Sequence, residues 1–324
     1  MMDKMKTYLV TGGAGFIGSH LCEALLGQGV RVLAVDNLCD FYDPEIKLAN
    51  LRSLLAKPGF HFYGADIRDR EAMSSIFREN AIDLVIHMAA MAGVRPSIEN
   101  PDLYFDVNVS GTQRLLEICR EHDVKRFIFA SSSSIYGNNE VPFREEDRVD
   151  QPISPYAASK KSGELMCYTW HHLYDLSTIC LRFFTVYGPG QRPDLAIHKF
   201  ARAILAEQAI MMFGDGNSAR DYTYVKDIVN GICGAVNRIE HFPGKLYEIY
   251  NLGNSHPITL KDMIHKLENA LGKKAKIKRK AMQAGDVEIT FADISKAKQM
   301  LGYLPQTSFE DGLKYFADWL RSEA

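Results

Sequence analysis

The sequence has 324 residues, 46% hydrophobic and 24% charged, enough for one large or two modest folded units and too apolar for a disordered chain. Its formal net charge of −2 gives no overall field for nucleic acid or an anionic membrane surface, so an anionic ligand must be held by local groups. Six scattered cysteines without a C-x-x-C pair, no apolar run of transmembrane length and an N-terminus running straight into a strand argue against a disulfide framework, a zinc or other metal site and a membrane span; a reduced, cytoplasmic protein is expected.

Strand-like and helix-like segments then alternate. TYLV (7–10) precedes a glycine-rich turn and a helical pattern over 16–29. VRVLAVD (30–36) leads to a helix over 44–56, FHFYGAD (60–66) to a helix over 70–80, and IDLVIHMAA (82–90) to one long helical stretch over 102–123. VKRFIFASSSS (124–134), a helix over 154–175 and LSTICLRFF (176–184) complete the series. This rhythm predicts an α/β fold, a Rossmann-type doubly wound parallel sheet built from βαβ crossovers. Short continuous apolar strands such as RFIFA suit a sheet covered on both faces. After about residue 182 loops rich in Gly, Pro and Arg take over. The expected organisation is a dinucleotide-binding unit over 1–182, with the segment at about 222–250 as a candidate to rejoin it, and a smaller C-terminal α/β substrate-binding unit over 183–324. The basic run GKKAKIKRK (272–280) reads as a solvated edge.

VTGGAGFIGSHL places Gly12, Gly13, Gly15 and Gly18 between the first strand and the first helix. A glycine motif alone says little. Here it has the context it needs: a strand before, an amphipathic helix after, and an acidic residue, Asp36, ending the next strand. The glycines let backbone approach a pyrophosphate at the helix N-terminus, where Phe16 and Ile17 begin the first turn. A carboxylate at Asp36 would accept from the adenosine ribose hydroxyls and repel a 2′-phosphate, which favours NAD over NADP. Asn37 beside it, Asp66 and Ile67 after the third strand, and Ala89 after the fourth complete the expected cofactor-facing positions.

SPYAASKKSGE contains Tyr156-x-x-x-Lys160, a spacing that puts both heads on one helix face. Tyrosine is a poor base at its ordinary pKa of about 10. A nearby ammonium and a cationic nicotinamide would favour the phenolate and bring it toward the working range. The stretch SSSSIYG (131–137) ends the preceding strand, so a hydroxyl can reach the same place. His87, at another strand end, reads as a packed core histidine rather than an acid or base.

With these residues in place the chain resembles the extended short-chain dehydrogenase/reductase family, and within it the NAD-dependent nucleotide-sugar epimerases. The likeness runs through TGGAGFIGSHL, HMAA, NVSGTQRLLE, SSSSIYG, SPYAASK, RFFTVYGP and FGDG…RDYTYV, essentially the whole length. It is most similar to UDP-glucuronate 4-epimerases at AGVRPSIENP, SSSSIYG, RFFTVYGPGQRPDLA and MQAGDV. The resemblance implies a UDP-sugar substrate, tightly held NAD and a homodimer pairing two long helices, those near 102–121 and 155–174 here. It implies that Tyr156 is the base on the sugar 4-hydroxyl, that Lys160 binds the nicotinamide ribose and tunes Tyr156, and that Ser132 bonds the same sugar oxygen.

Related 4,6-dehydratases place an acid and a base beside their catalytic Thr, and related decarboxylases usually carry a Glu there. This chain has Ser133 and Ser134, which cannot do that proton chemistry, so simple epimerisation is the expected reaction. With Thr185 they offer three small donors suited to a sugar carboxylate. By the same resemblance Arg192 and Arg220 hold the UDP portion, Asp286 takes a ribose hydroxyl, and Arg95 faces the substrate. Relatives carry an Arg just before that Gly-Asp, where this chain has Gln283 and Ala284. A UDP-glucose/UDP-galactose 4-epimerase, a decarboxylating or dehydrating relative, and a non-catalytic dinucleotide-binding protein remain as alternatives.

Overall fold

Apolar side chains cover both faces of strand β1 (Thr7–Thr11): Tyr8 and Val10 enter one helix-covered layer and Leu9 the other. The computed structural model describes residues 5–281 and 287–322. In the first half, helices α1 (Phe16–Gly27), α2 (Pro44–Leu55) and α3 (Arg70–Glu79) alternate with strands β2 (Arg31–Asp36), β3 (Phe60–Gly64) and β4 (Leu84–His87). Helices α4 (Val94–Glu99), α5 (Pro101–Phe105) and α6 (Thr112–Glu121) lead to β5 (Arg126–Ser132), the long α7 (Pro155–Tyr174) and β6 (Ser177–Phe183). Strand β7 (Thr185–Tyr187), α8 (Ala196–Leu205), β8 (Ala209–Phe213) and β9 (Ala219–Tyr224) follow. Then come α9 (Val225–His241), β10 (Tyr247–Leu252), β11 (Pro257–Thr259), α10 (Leu260–Leu271), β12 (Lys276–Lys280), α11 (Ser295–Leu301) and α12 (Phe309–Ser322).

The central sheet has seven parallel strands in the order β10-β6-β5-β4-β1-β2-β3. Strand order reverses between β1 and β4, and in open α/β sheets the crevice at such a switch point is where ligands bind. Alternation along each strand serves two layers: Val32, Ile86 and Ile128 pack with α1 and α9, while Leu33, Val85 and Phe127 pack with α3 and α6. After β9 the chain returns through α9, which lies against α1, and adds β10 beside β6. The smaller sheet β11-β9-β7 and the parallel pair β12-β8 belong to the remaining part, with every residue of β12 exposed. Among the described residues no helix is long and apolar enough to cross a membrane.

The single helix predicted over 102–123 is interrupted. Between α5 and α6 lies a π-helical turn, Asp106–Gly111. The segment passes so close to the loop after β3 that a Cβ at Gly111 would stand 2.8 Å from Ile67 Cδ1. The wider turn brings Asn108 inward, where its side chain accepts from Met91 N at 2.8 Å and donates to Met91 O at 2.9 Å. Such bulges frequently mark functional sites.

Helix α7 lies over β5 at a glycine: a Cβ on Gly163 would fall 2.2 Å from Phe129 Cζ. Gly163→Ala therefore forces the helix off the sheet and should cost about 1–3 kcal/mol by overpacking. A fall in thermal midpoint and in denaturant midpoint against the parent chain checks it; an unchanged midpoint would show that the layer can yield.

Candidate active site

The glycine loop is built for close approach. Gly12 has φ +70°, and a Cβ there would meet Ala89 N at 2.8 Å, so the ends of β1 and β4 converge on this residue. Gly12 N donates to Val35 O at 2.7 Å, tying the loop to β2 as well. Helix α1 starts from Gly15 with no side-chain cap and no acidic residue in its first turn. The amide groups of Phe16, Ile17 and Gly18 thus open an uncapped positive helix end, the partner that a pyrophosphate needs. Asp36 is buried at the end of β2, accepting from Ala14 N at 3.3 Å and Leu38 N at 2.9 Å, with Lys47 Nζ 3.6 Å away. Asn37 donates to Asp66 at 2.8 Å, and hydrogen bonds from Arg68 hold the Asp66 carboxyl down to about 2. Ile67 is buried beside it. These residues bring together the glycine loop with its open helix end, a buried carboxylate bonded to that loop, and Asp66 and Ile67 after β3.

Tyr156 and Lys160 sit in the first turns of α7, which Ser154 caps by accepting from Ala157 N at 3.1 Å. Pro155 at the first helical position has no N–H to satisfy. The Tyr156 ring stands edge-on to Tyr104, 6.1 Å between centroids, with its hydroxyl within the hydrogen-bonding influence of Ser132. Burial raises the phenol above its ordinary pKa; the Ser132 hydrogen bond and the Arg192 charge pull the other way. Lys160 Nζ donates to Ala130 O at 2.7 Å and lies 5.1 Å from the Phe129 ring centre. Burial brings this ammonium down to about 7. Ser132 also accepts from Ser134 N at 3.2 Å, which caps the 3-10 turn Ser133–Tyr136.

A cleft of about 170 Å³ opens next to this group, lined by Val94, Ser133, Ser134, Thr185, Arg220 and Thr290 among others. It collects residues from the C-terminal ends of β4, β5 and β6 and from the smaller sheet, as the switch-point rule requires. Arg220 sits on β9 and donates to Ala219 O at 2.9 Å. Arg95, on α4, stacks over Phe213 at 5.1 Å. Arg192 pairs with Asp194 at 2.7 Å, donates to Ala92 O at 3.3 Å and covers the Phe41 ring, and its charge acts on Tyr156. Asp286, with Gln283 and Ala284, falls outside the described residues.

Two further groups, Asn108 and the Glu164–Arg182 pair, escaped the sequence reading, whereas His87 is the packed core histidine it expects. Asn108 donates to Ser159 Oγ at 2.9 Å behind the catalytic helix; nothing in an α-helical periodicity announces a π turn. His87 bridges Thr11 at 2.7 Å and Thr112 at 2.9 Å, and burial drives its pKa down to about 3, so it is a neutral strut across the switch point. Glu164 and Arg182 form a fully buried ion pair under the serine run. Their signal was present: Glu164 continues the Tyr156–Lys160 face at the next i+4 position, and Arg182 interrupts an apolar strand.

Residues 9–316 match the family described as GDP-mannose 4,6 dehydratase. A UDP-glucuronate 4-epimerase of Thermodesulfobacterium geofontis is 47% identical over 316 residues, covering 97% of this chain and 96% of its own. The crystal structure of UDP-glucuronic acid 4-epimerase from Bacillus cereus, in complex with UDP-glucuronic acid and NAD, superposes with a TM-score of 0.92 at 36% identity, covering 98% of this chain and all (100%) of its own. UDP-glucose 4-epimerase of Thermotoga maritima, with UDP-glucose, gives 0.88 at 34% identity over 98% of this chain and 99% of its own.

A methyl at Gly18 would lie 2.1 Å from Gly12 O, inside the phosphate cradle. Gly18→Ala should fold yet weaken dinucleotide binding by at least about tenfold, since the loop must open to accept the Cβ. Calorimetric titration of NAD into the two proteins checks this, and equal affinity would remove the loop from the cofactor site.

Proposed function

The chain belongs to the GDP-mannose 4,6-dehydratase family of extended short-chain dehydrogenases/reductases, and from that premise we propose that it inverts C4 of UDP-glucuronate to give UDP-galacturonate, with NAD as resident cofactor. The observation that carries the reaction type is the pairing of Ser132 with Tyr156 while Ser133 and Ser134, not carboxylates, line the adjoining cleft. An elimination across C5–C6 needs an acid and a base where these hydroxyls stand.

The Tyr156 phenolate, favoured by Ser132 and by the Arg192 charge, takes the proton of the sugar 4-hydroxyl. The chemistry supplied by bound NAD is reversible storage of the C4 hydride, so a 4-keto sugar forms and is reduced again without net redox change. Gly12, Gly15, Phe16, Ile17 and Gly18 hold its pyrophosphate; Asp36 and Asn37 take the adenosine ribose, Asp66 and Ile67 the adenine, and Ala89 backs the nicotinamide end. Lys160 binds the nicotinamide ribose and sets a positive charge behind Tyr156. Inversion requires the keto sugar to present its other face between the two transfers. Arg192 and Arg220 therefore anchor the nucleotide end while the sugar pivots, with the Arg192 charge also favouring the Tyr156 phenolate, Arg95 faces the substrate, and Asp286 takes a ribose hydroxyl. The returning proton comes from Tyr156 to O4.

The 4-keto acid formed on the way is a β-keto acid. It loses carbon dioxide when the C5–C6 bond stands parallel to the ketone π system. Ser133, Ser134 and Thr185 act as three neutral donors to the carboxylate and hold that bond near the carbonyl plane. The NAD half comprises residues 1–182 with the returning 222–250 segment, a division supported by the place of β10 beside β6, and residues 183–324 otherwise form the sugar-nucleotide half. A cytoplasmic homodimer fits: the cysteines stand as free thiols, and α7 leaves Leu165, Tyr168 and Leu173 more than half exposed (57%, 53%, 59%) beside the α5–α6 segment.

Incubation with UDP-glucuronate and with UDP-glucose separately, followed by NMR of the sugars, tests the reading. UDP-galacturonate should accumulate without carbon dioxide; turnover of UDP-glucose alone would reverse the assignment of substrate. Ser132→Ala removes a hydrogen bond that favours the phenolate, so the Tyr156 pKa rises further. The base is then protonated up to a higher pH: the acid limb of the kcat profile moves upward, and kcat near neutrality falls about 10- to 100-fold. An unmoved acid limb would separate Ser132 from the base.

A further inference from the structure

The tetra-serine segment is tethered at both ends to one buried ion pair. Glu164 and Arg182 side chains are each 1% exposed and meet through two parallel bonds, Nε to Oε1 at 2.9 Å and the second guanidinium nitrogen to Oε2 at 3.0 Å. Ser131 donates to Glu164 Oε1 at 2.7 Å. Arg182 donates to the Tyr136 hydroxyl at 2.8 Å, and that hydroxyl donates onward to Asn251 at 2.7 Å. Ser131 and Tyr136 bracket the turn that carries Ser132, Ser133 and Ser134. The carboxylate in the pair stands on the Tyr156–Lys160 face of α7, and Ser131 faces Arg182 across the β5–β6 ladder.

The pair is more than ballast for the core. Burying two charges is costly, and an apolar pair of similar volume is often as stable, so an ion pair here calls for a reason beyond stability. Within the turn, the serines hold one another weakly: Ser132 accepts from Ser134 N and donates to Ser134 Oγ, each at 3.2 Å. Their placement relative to Tyr156 must come from the anchors on either side.

We propose that Glu164–Arg182 is a positioning pair for the reaction: through Ser131 and Tyr136 it sets the spread of the Ser132, Ser133 and Ser134 hydroxyls against Tyr156, and so keeps the 4-keto acid on the epimerisation path. The proposal rests on the reading of Ser133 and Ser134 as carboxylate donors. When the turn loosens, C6 leaves the carbonyl plane. The C5–C6 bond breaks, carbon dioxide departs with C6, and the bonding pair enters a C4–C5 enolate. Protonation at C5 by water completes a 4-keto pentose. Ser132, carried on the same turn, meets O4 less well, so the epimerisation rate falls while nucleotide binding is unchanged.

Replacing Glu164 or Arg182 strands a buried charge and can unfold the protein, so the test uses the two tethers, Ser131→Ala and Tyr136→Phe, singly and together, as holoenzymes well below their thermal midpoints. Galacturonate and pentose products of UDP-glucuronate are counted by NMR, with released carbon dioxide. Each variant should lose about fivefold in kcat for epimerisation, with KM within about twofold, and should raise the carbon-dioxide fraction about fivefold or more, the scale of one lost hydrogen bond. Ser133→Ala/Ser134→Ala is run beside them. If that double variant releases carbon dioxide while the tether variants keep the parent partition and kcat, the positioning role is wrong and the carboxylate reading stands. If neither releases carbon dioxide, the carboxylate reading fails and the proposal with it. A drop in thermal midpoint with unchanged product ratio and kcat would make the pair purely structural and overturn the proposal.

Discussion

The distance between α7 and β5 governs everything the site does. Tyr156 and Lys160 ride on the helix, and the serine hydroxyls are carried at the end of the strand. The helix settles on the strand only because Gly163 presents no Cβ to the Phe129 ring. The same ring lies under the Lys160 ammonium. One packing contact therefore fixes two things at once: how near the phenol comes to Ser132, and the apolar floor that draws the lysine pKa toward neutrality. The cap at Ser154 and the buried pair of Glu164 with Arg182 fix the rotation of the helix about that contact.

The electrostatics follow from burial that penalises the charged form of two neighbouring groups. Water exclusion raises the phenol and lowers the ammonium to about 7, which drives the two apart and favours the neutral form of each. The phenolate is recovered locally instead, by Ser132 and the Arg192 charge, both of which pull the phenol back down. His87 stays neutral because burial and the nearby Lys160 charge disfavour its protonation, so with both ring nitrogens bonded to threonines it adds rigidity without competing for protons. The chain needs little net charge for an anionic substrate because its cations are local and mostly stacked on aromatic rings.

Much of this was legible beforehand, for reasons that can be named. Alternating strand and helix patterns predicted the parallel sheet, since continuous apolar runs of strand length have few other uses. The glycine loop and the Tyr156/Lys160 spacing were visible because each depends on local geometry. What stayed hidden depends on pairing across the fold. The π turn at Asp106–Gly111 keeps an apolar rhythm close enough to α-helical that spacing cannot separate the two. The partnership of Glu164 with Arg182 links a helix to a strand, and a sequence shows the two odd residues without showing that they meet. The loop arginines are of the same kind: Arg220 lines the cleft and the Arg192 charge acts on the Tyr156 phenol, relations that local spacing does not announce.

The place of β10 has a consequence for how the chain reaches this state. Its strand joins the sheet beside β6, yet β7, α8, β8, β9 and α9 intervene along the chain. During synthesis the ribosome releases β6 first, leaving an open parallel edge until Leu252 has emerged. Such an edge invites pairing with another chain, and its closure waits on a contact of long sequence separation, the slow class in folding. The cleft-bearing strands β7 and β9 are thus made while the sheet is unfinished and are enclosed when it closes. Completion of the sheet and assembly of the sugar-facing wall become one late, cooperative event.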